Sequence, residues 1–269
     1  MKGIIGQVIG DSIGQYYAQK PPKNYDFDFM YDRTHPSDDS ICMIAVADWL
    51  MNTDKSKNAL IDKFHYWGNK YNYGLWNYDL ETTFKKWINE KRREPYNSFG
   101  NGSAMRVPPV GWYAKSLDEC LELAKISAEV THNHPEGIKG AQAIAGAIWL
   151  LRNENFNKDQ IMKWVSKTFG YNLSKSYAEL KRTHKFECTC QNSVPAIFIS
   201  WYNSKNYEDC IRKTISLGGD TDTEGGLAGA LATATPGMEV DDNFVHEVTR
   251  FFTSEFMHLY DDFHKKYEA

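Results

Sequence analysis

Four carboxylates and two hydroxyls gather in two short clusters far apart in the chain. The first is "PSDDS", Pro36 to Ser40, with Ser37, Asp38 and Asp39 at its centre. The second is "GGDTDT", Gly218 to Thr223, with Asp220, Asp222 and Thr223. Carboxylate and hydroxyl oxygens are hard donors, which suit Mg²⁺, Mn²⁺ or Ca²⁺ rather than zinc. If the clusters converge, six such groups are enough for two divalent cations, whose shared charge neutralises adjacent acids. An EF-hand is excluded, because its glycine and distal glutamate are not at the required spacing. Each cluster also has a plain structural reading. Ser37 or Asp38 serves as a helix N-cap, and so does Asp220 or Thr221, with Asp39 and Asp222 favoured by the helix dipole. Capping needs only one carboxylate, however, and a second beside it adds repulsion unless a cation is near.

Three further stretches carry polar groups. "YNSFGNGSAMR", Tyr96 to Arg106, interleaves Asn97, Ser98, Asn101 and Ser103 with glycines. Backbone amides at such a junction cradle phosphate, although Asn-Gly is also an ordinary turn signal. "THNHPE", Thr131 to Glu136, places two histidines two residues apart, ahead of a proline. A cap or a ligand contact fits them at least as well as a metal. Asp11, in "GDSIG" (Gly10 to Gly14), reads as a buried, hydrogen-bonded carboxylate.

The elements that must position these groups are helical. Apolar residues recur at helical spacing in Asp38 to Met51, Leu60 to Trp67, Leu80 to Ile88, Asn157 to Phe169, Asn192 to Asn203 and Asn206 to Leu217. Asp241 to Tyr267 reads as one long helix. Ser116, with Glu119 three residues on, predicts a capping box. Pro135 suits the first position of "PEGIKGAQAIAGAIWLLRN". "AQAIAGAIWLL" and "GGLAGALATAT" are apolar nearly all round, so they belong at the centre of the fold. No alternating strand pattern, fixed-period repeat or low-complexity linker interrupts the chain. The reading is one all-α domain of about ten or more helices.

Composition bounds the function. The chain has 269 residues, 42% of them hydrophobic, and a formal net charge of −4. That supports a sizeable core and gives no electrostatic footprint for nucleic acid. The basic run "EKRREP", Glu90 to Pro95, is bracketed by glutamates and reads as a solvated helix end. The five cysteines include one lone Cys-x-Cys, Cys188 and Cys190, a weak zinc signal; free buried thiols in a reducing compartment are expected. Neither a long signal-peptide core nor an apolar run of membrane-spanning length is present. A cytoplasmic location is the expectation.

In order and register, "GDSIG", "SDDS", "SFGNGSAMR", "THNHPE" and "SLGGDTDT" resemble the blocks of the ADP-ribosylglycohydrolase family, closest to its compact bacterial members. The blocks run from Gly10 to about Gly237, and "GNGSAMR" with "GGDTDT" is the most specific pair. The resemblance implies one compact, orthogonal all-α domain over residues 1–269 with a central metal-binding cleft. It implies two Mg²⁺ (or Mn²⁺) held by Ser37, Asp38, Asp39, Asp220, Asp222 and Thr223. Ser98, Phe99, Gly100, Asn101, Gly102, His132, Gly218 and Gly219 would then bind substrate, with Asp38 or Asp39 as the base. The implied reaction frees ADP-ribose from a modified protein or a small-molecule acceptor. One position departs from the family. Many relatives carry a glutamate a few residues after the first block, where this chain has Ala18. An engineered change, kinship with arginine-directed members, or an ADP-ribose-binding module with little hydrolysis each fits Ala18. Without the resemblance, the acidic clusters also fit a two-metal phosphohydrolase. The acceptor is not legible; its contacts are expected in Pro21 to His35 and Asn69 to Asp79, including the aromatic "YNYGLWNY".

Overall fold

Apolar periodicity and capping residues partition the chain into helices. The computed structural model describes residues 3–22, 24–29, 34–72 and 82–268. In chain order the helices are α1 (Ile5–Tyr17), α2 (Asp38–Asn52), α3 (Lys57–Asn72), α4 (Thr82–Asn89), α5 (Gly102–Met105), α6 (Pro108–Tyr113), α7 (Leu117–Glu129) and α8 (Pro135–Asn153). They continue as α9 (Lys158–Phe169), α10 (Tyr177–Thr183), α11 (Cys190–Tyr202), α12 (Tyr207–Ile215), α13 (Thr221–Ala234), α14 (Asp242–Thr249) and α15 (Ser254–Tyr267). Among the described residues no strand forms; a single antiparallel bridge joins Gly100 and Thr189. Most of the aromatic stretch 71–78 and of the proposed acceptor segment 69–79 lies outside the described residues, as do Lys23 and 30–33 of the other.

The centre of the fold is an antiparallel pair, α1 against α13. Thr221, Gly225, Gly229 and Thr233 recur every fourth residue on α13, facing Gly6, Gly10 and Gly14 of α1. A Cβ on Gly10 would stand 2.1 Å from the Gly225 carbonyl oxygen, and one on Gly14 2.0 Å from that of Thr221. Only glycine permits this approach. The Thr221 hydroxyl locks the register by donating to the Gly14 carbonyl at 2.7 Å. Residues Ile5 to Gly14 are buried without a break, so the expected apolar centre includes α1 as well as α8 and α13. Trp49, Trp67, Trp87 and Trp201, each at most 1% exposed, fill the surrounding layer. Burial of one such large apolar side chain is worth roughly 1.5–3 kcal/mol.

Two local expectations are corrected. Asp241 to Tyr267 is two helices, because Thr253 takes extended backbone and its side chain accepts the Phe256 N–H. Such a cap offers the backbone an alternative to continuing the helix. The break also seats Phe252 on Phe256, with ring centroids 4.2 Å apart, so the apolar periodicity persists across it. At α7, Ser116 caps as predicted, but the Glu119 carboxylate accepts the N–H of Lys115 at 2.7 Å, one residue before the position a capping box requires.

Candidate active site

The close α1–α13 contact sets Asp11 of α1 beside the start of α13. Asp11 is fully buried and takes the Ser37 N–H on both oxygens, at 3.1 and 3.0 Å, and the Ser40 N–H at 3.2 Å. The Ser40 hydroxyl donates to it as well. A carboxylate on α1 thus holds the first turn of α2 in place. Ser37 is the N-cap of α2, its hydroxyl accepting the Asp39 N–H at 3.1 Å.

Asp220 occupies the N-cap position of α13 but makes no capping hydrogen bond. Its carboxylate instead accepts a side-chain N–H of Asn101 at 2.8 Å. The other end of that amide's donation is the Ser193 hydroxyl, at 3.1 Å. Asp222 lies close enough for the charge of Asp220 to raise its pKa, after burial the largest cause.

Asp38, Asp39, Asp220, Asp222 and Thr223 line one cleft of about 590 Å³ together with Ser98, Phe99, Gly100, Asn101, Gly102 and His132. Both acidic clusters and the glycine-asparagine loop therefore meet. Burial, and next the neighbouring Asp222, push Asp39 well above the carboxylate range. Burial and the nearby Asp220 raise Asp222 to about 8, and burial raises Asp11 to about 7. One oxygen of Asp39, Oδ2, is buried without a hydrogen-bond partner. An orphaned carboxylate oxygen among acids that repel one another fits a hard divalent cation, which would reverse these shifts. Among the described residues, however, no three His, Cys, Asp or Glu side chains form a closed cation-holding group. The acids converge on one space.

Ser37 lies just behind the lining, committed to Asp39 and Asp11. Gly218 and Gly219 also lie outside it. Gly218 has φ +78°, the left-handed backbone that turns the chain from α12 into α13. A Cβ on Gly219 would stand 2.2 Å from Nε2 of His184, which pairs with Glu224 at 2.9 Å beneath the loop. In the 98–102 loop, the N–H groups of Gly100 and Asn101 are already used, donating to the Ser98 hydroxyl and to the Cys188 carbonyl, each at 3.1 Å. That narrows which amides are left for a phosphate. Phe99 is 46% exposed at the rim. Ala18 is the C-cap of α1, half-buried and outside the lining.

Several residues of the site were not assigned to it from the sequence. Arg106 and Cys188 line the cleft. Glu224 and His184 are buried behind it, with side chains 0% and 2% exposed. Burial, and next the Asp220 charge, raise the Cys188 pKa. Arg106 stood within the quoted block, but nothing local assigns it a role. For His184 there was no sequence signal beyond residue type, and Cys188 was read only as half of a weak Cys-x-Cys zinc signal.

The sequence model of the ADP-ribosylglycohydrolase family matches residues 1–268. An uncharacterised protein of Archaeoglobus fulgidus is 31% identical over 147 residues, 49% of this chain and 48% of that one. The ADP-ribosylhydrolase ARH3 of Mus musculus is 26% identical over 215 residues, 59% of this chain and 57% of its own. The chain thus spans about half the length of the curated relatives it matches. A solved structure described as an ADP-ribosylglycohydrolase-related protein complex superposes with a TM-score of 0.74, covering 97% of this chain and 95% of that one at 18% identity. That likeness is one of fold.

Proposed function

The chain belongs to the ADP-ribosylglycohydrolase family, and from that premise we propose that it hydrolyses the N- or O-glycosidic bond joining ADP-ribose to a modified protein or a smaller acceptor. The observation that carries this reading is the meeting of Asp38, Asp39, Asp220, Asp222 and Thr223 with the Ser98–Gly102 loop in one cleft. Two Mg²⁺ ions, or Mn²⁺ in their place, would be held by those five residues and Ser37. When bound, such cations steady ribose hydroxyls and acidify water. Breaking the anomeric bond builds positive charge on the sugar ring, and a wall of carboxylates opposes that charge. Asp38 or Asp39 accepts the proton of the attacking water; both face the cleft. The 98–102 loop and His132 grip the ADP-ribose, which leaves as product. No helix among the described residues is long and apolar enough to cross a membrane, and the substrate in this reading is a dissolved one.

A second reading rests on Ala18. Where many relatives have a glutamate, this chain offers a methyl group at the end of α1, away from the cleft lining. A protein that binds ADP-ribose and releases it slowly, or not by hydrolysis, fits that change. Peptides ADP-ribosylated on arginine or on serine, incubated with the protein and Mg²⁺, separate the two. Release of free ADP-ribose supports hydrolysis. Tight binding of ADP-ribose with no release from either peptide supports the binding module.

A further inference from the structure

The wall of the cleft contains a buried guanidinium that no acid among the described residues pairs with. Arg106, which follows α5, is 1% exposed and lines the cleft. Its Nη2 donates to the Ser127 carbonyl at 2.6 Å, the Ala128 carbonyl at 3.4 Å and the Thr131 hydroxyl at 2.8 Å. Its guanidinium carbon lies 4.5 Å from the centroid of the Phe64 ring. Among the described residues no carboxylate pairs with it, and it is the only lysine or arginine lining the cleft. An arginine keeps its proton in proteins, so any part Arg106 plays in chemistry runs through what it touches.

It touches Thr131. The Thr131 oxygen accepts from Arg106 and stands 2.8 Å from Nδ1 of His132. A hydroxyl has one proton to give. Among the described residues, His132 Nδ1 is the only hydrogen-bond partner of the Thr131 hydroxyl that can accept it. If Nδ1 carried the imidazole proton instead, Thr131 would accept twice and its own buried O–H would be left unmade, which folded proteins avoid. We propose that Arg106, acting through Thr131, fixes His132 in the tautomer with the proton on Nε2, so that His132 is a dedicated N–H donor in the cleft rather than an acid–base group.

The surroundings of Nε2 agree. No described residue bonds it, and the space before it is kept by glycines: a Cβ would stand 3.0 Å from Nε2 at Gly102 and 3.5 Å at Gly100. A ligand oxygen that accepts, from a diphosphate or a ribose hydroxyl, is the group such a donor takes. Burial, and secondly the Arg106 charge, hold the His132 pKa far below its ordinary value, so the ring stays neutral while it donates. Arg106 and Thr131 are then positioning residues for His132. The identity of the ligand oxygen rests on the ADP-ribose reading above; the tautomer does not.

The test uses the full chain with its 8 histidines ¹⁵N-labelled and long-range ¹H–¹⁵N correlation spectra at neutral pH, His132 being assigned by its loss in His132→Gln. The neutral Nε2–H pattern is expected for His132 in the unsubstituted protein. Thr131→Val, which removes the hydroxyl and keeps the shape, should shift that pattern toward Nδ1–H or a mixture. It should also weaken ADP-ribose binding, read by calorimetry, about tenfold, and Thr131→Ser should restore both. An Nδ1–H pattern in the unsubstituted protein overturns the proposal, even if Thr131→Val does not fold. An unchanged Nε2–H pattern in folded Thr131→Val overturns it as well. If the tautomer follows Thr131 but the unsubstituted protein binds no ADP-ribose, the tautomer assignment stands and the ADP-ribose reading falls.

Discussion

Asn101 donates a side-chain N–H to the Asp220 carboxylate at 2.8 Å, across 119 residues of sequence. That bond joins the loop expected to grip a ligand to the acids expected to hold cations. Asn101 itself is 5% exposed and anchored twice more, its N–H on the Cys188 carbonyl and its side chain on Ser193. Asp220 is therefore aimed from outside its own helix, which explains why it does no capping.

Asn101→Ala should consequently impair the site more than the fold. Removing a group that orients a cation ligand lowers affinity or activity by about 10–100-fold. Leaving Ser193 and Asp220 short of a donor costs about 1–3 kcal/mol of stability. The measurement is ADP-ribose release against Mg²⁺ concentration, alongside a urea titration. Undiminished release at every Mg²⁺ concentration would show that Asp220 needs no such aiming.

The glycine face of α1 gives a second prediction. A methyl on Gly10 would meet the Gly225 carbonyl oxygen at 2.1 Å, and neither backbone has a flexible end that can give way. Gly10→Ala should destabilise by at least the roughly 1–3 kcal/mol typical of overpacking. Because Asp11 is the next residue, the first turn of α2 should loosen with it. A lower urea midpoint at unchanged slope is the expected result. A midpoint equal to that of the unsubstituted protein would mean that α1 and α13 are further apart than described.

Much of this local structure was legible, because caps and apolar spacing act over a few residues. Ser37 and Ser116 cap where their side chains predict, and Pro135 opens α8. Of helix α1 only an apolar helix end around Asp11 was legible: Gly6, Gly10 and Gly14 look like interruptions until the partner backbone that needs them is in place. The meeting of Asp39 with Asp222 follows from that same backbone contact, and only the resemblance to a family anticipated it. Arg106, His184 and Cys188 reach the site through tertiary placement, which leaves no periodic trace. The break at Thr253 was hidden because Phe252, Phe256 and Tyr260 keep helical spacing across it.

The two ends of the chain supply a pH dependence remote from the cleft. Glu268 accepts the Ile4 N–H at 2.7 Å and lies 2.8 Å from Nδ1 of His264, clasping α15 to the start of α1. The hydrogen bond to Glu268 raises the His264 pKa above its ordinary 6.5. A base whose pKa is raised by folding stabilises fully below its unfolded value and loses that contribution as pH rises through the folded one. Burial also raises Glu268, and a raised acid likewise loses stability as pH rises. The melting temperature should therefore fall as pH climbs from 6.5 through the higher folded value of His264. His264→Gln keeps a donor for Glu268 but cannot titrate, so it should flatten that part of the profile. A slope that survives His264→Gln would place the dependence elsewhere.

The acids of the cleft yield the most discriminating prediction, because two effects of one substitution have opposite signs. Without a cation, Asp39 and Asp222 are raised by burial and by neighbouring carboxylates, so ionising them costs stability. Asp222→Asn or Asp39→Asn removes one repelling charge at nearly constant volume. Each should leave the EDTA-treated protein as stable as the unsubstituted one, or more so. Mg²⁺ should stabilise the unsubstituted protein by about 2.7 kcal/mol at a hundredfold excess over Kd, a rise of several degrees in melting temperature. The same addition should shift either variant little, and ADP-ribose release should fall with it. A Mg²⁺ shift that persists in both variants would remove these carboxylates from the cation site. A lower melting temperature in EDTA, with no Mg²⁺ shift even in the unsubstituted protein, would make their role that of hydrogen-bonded acids stabilising the fold.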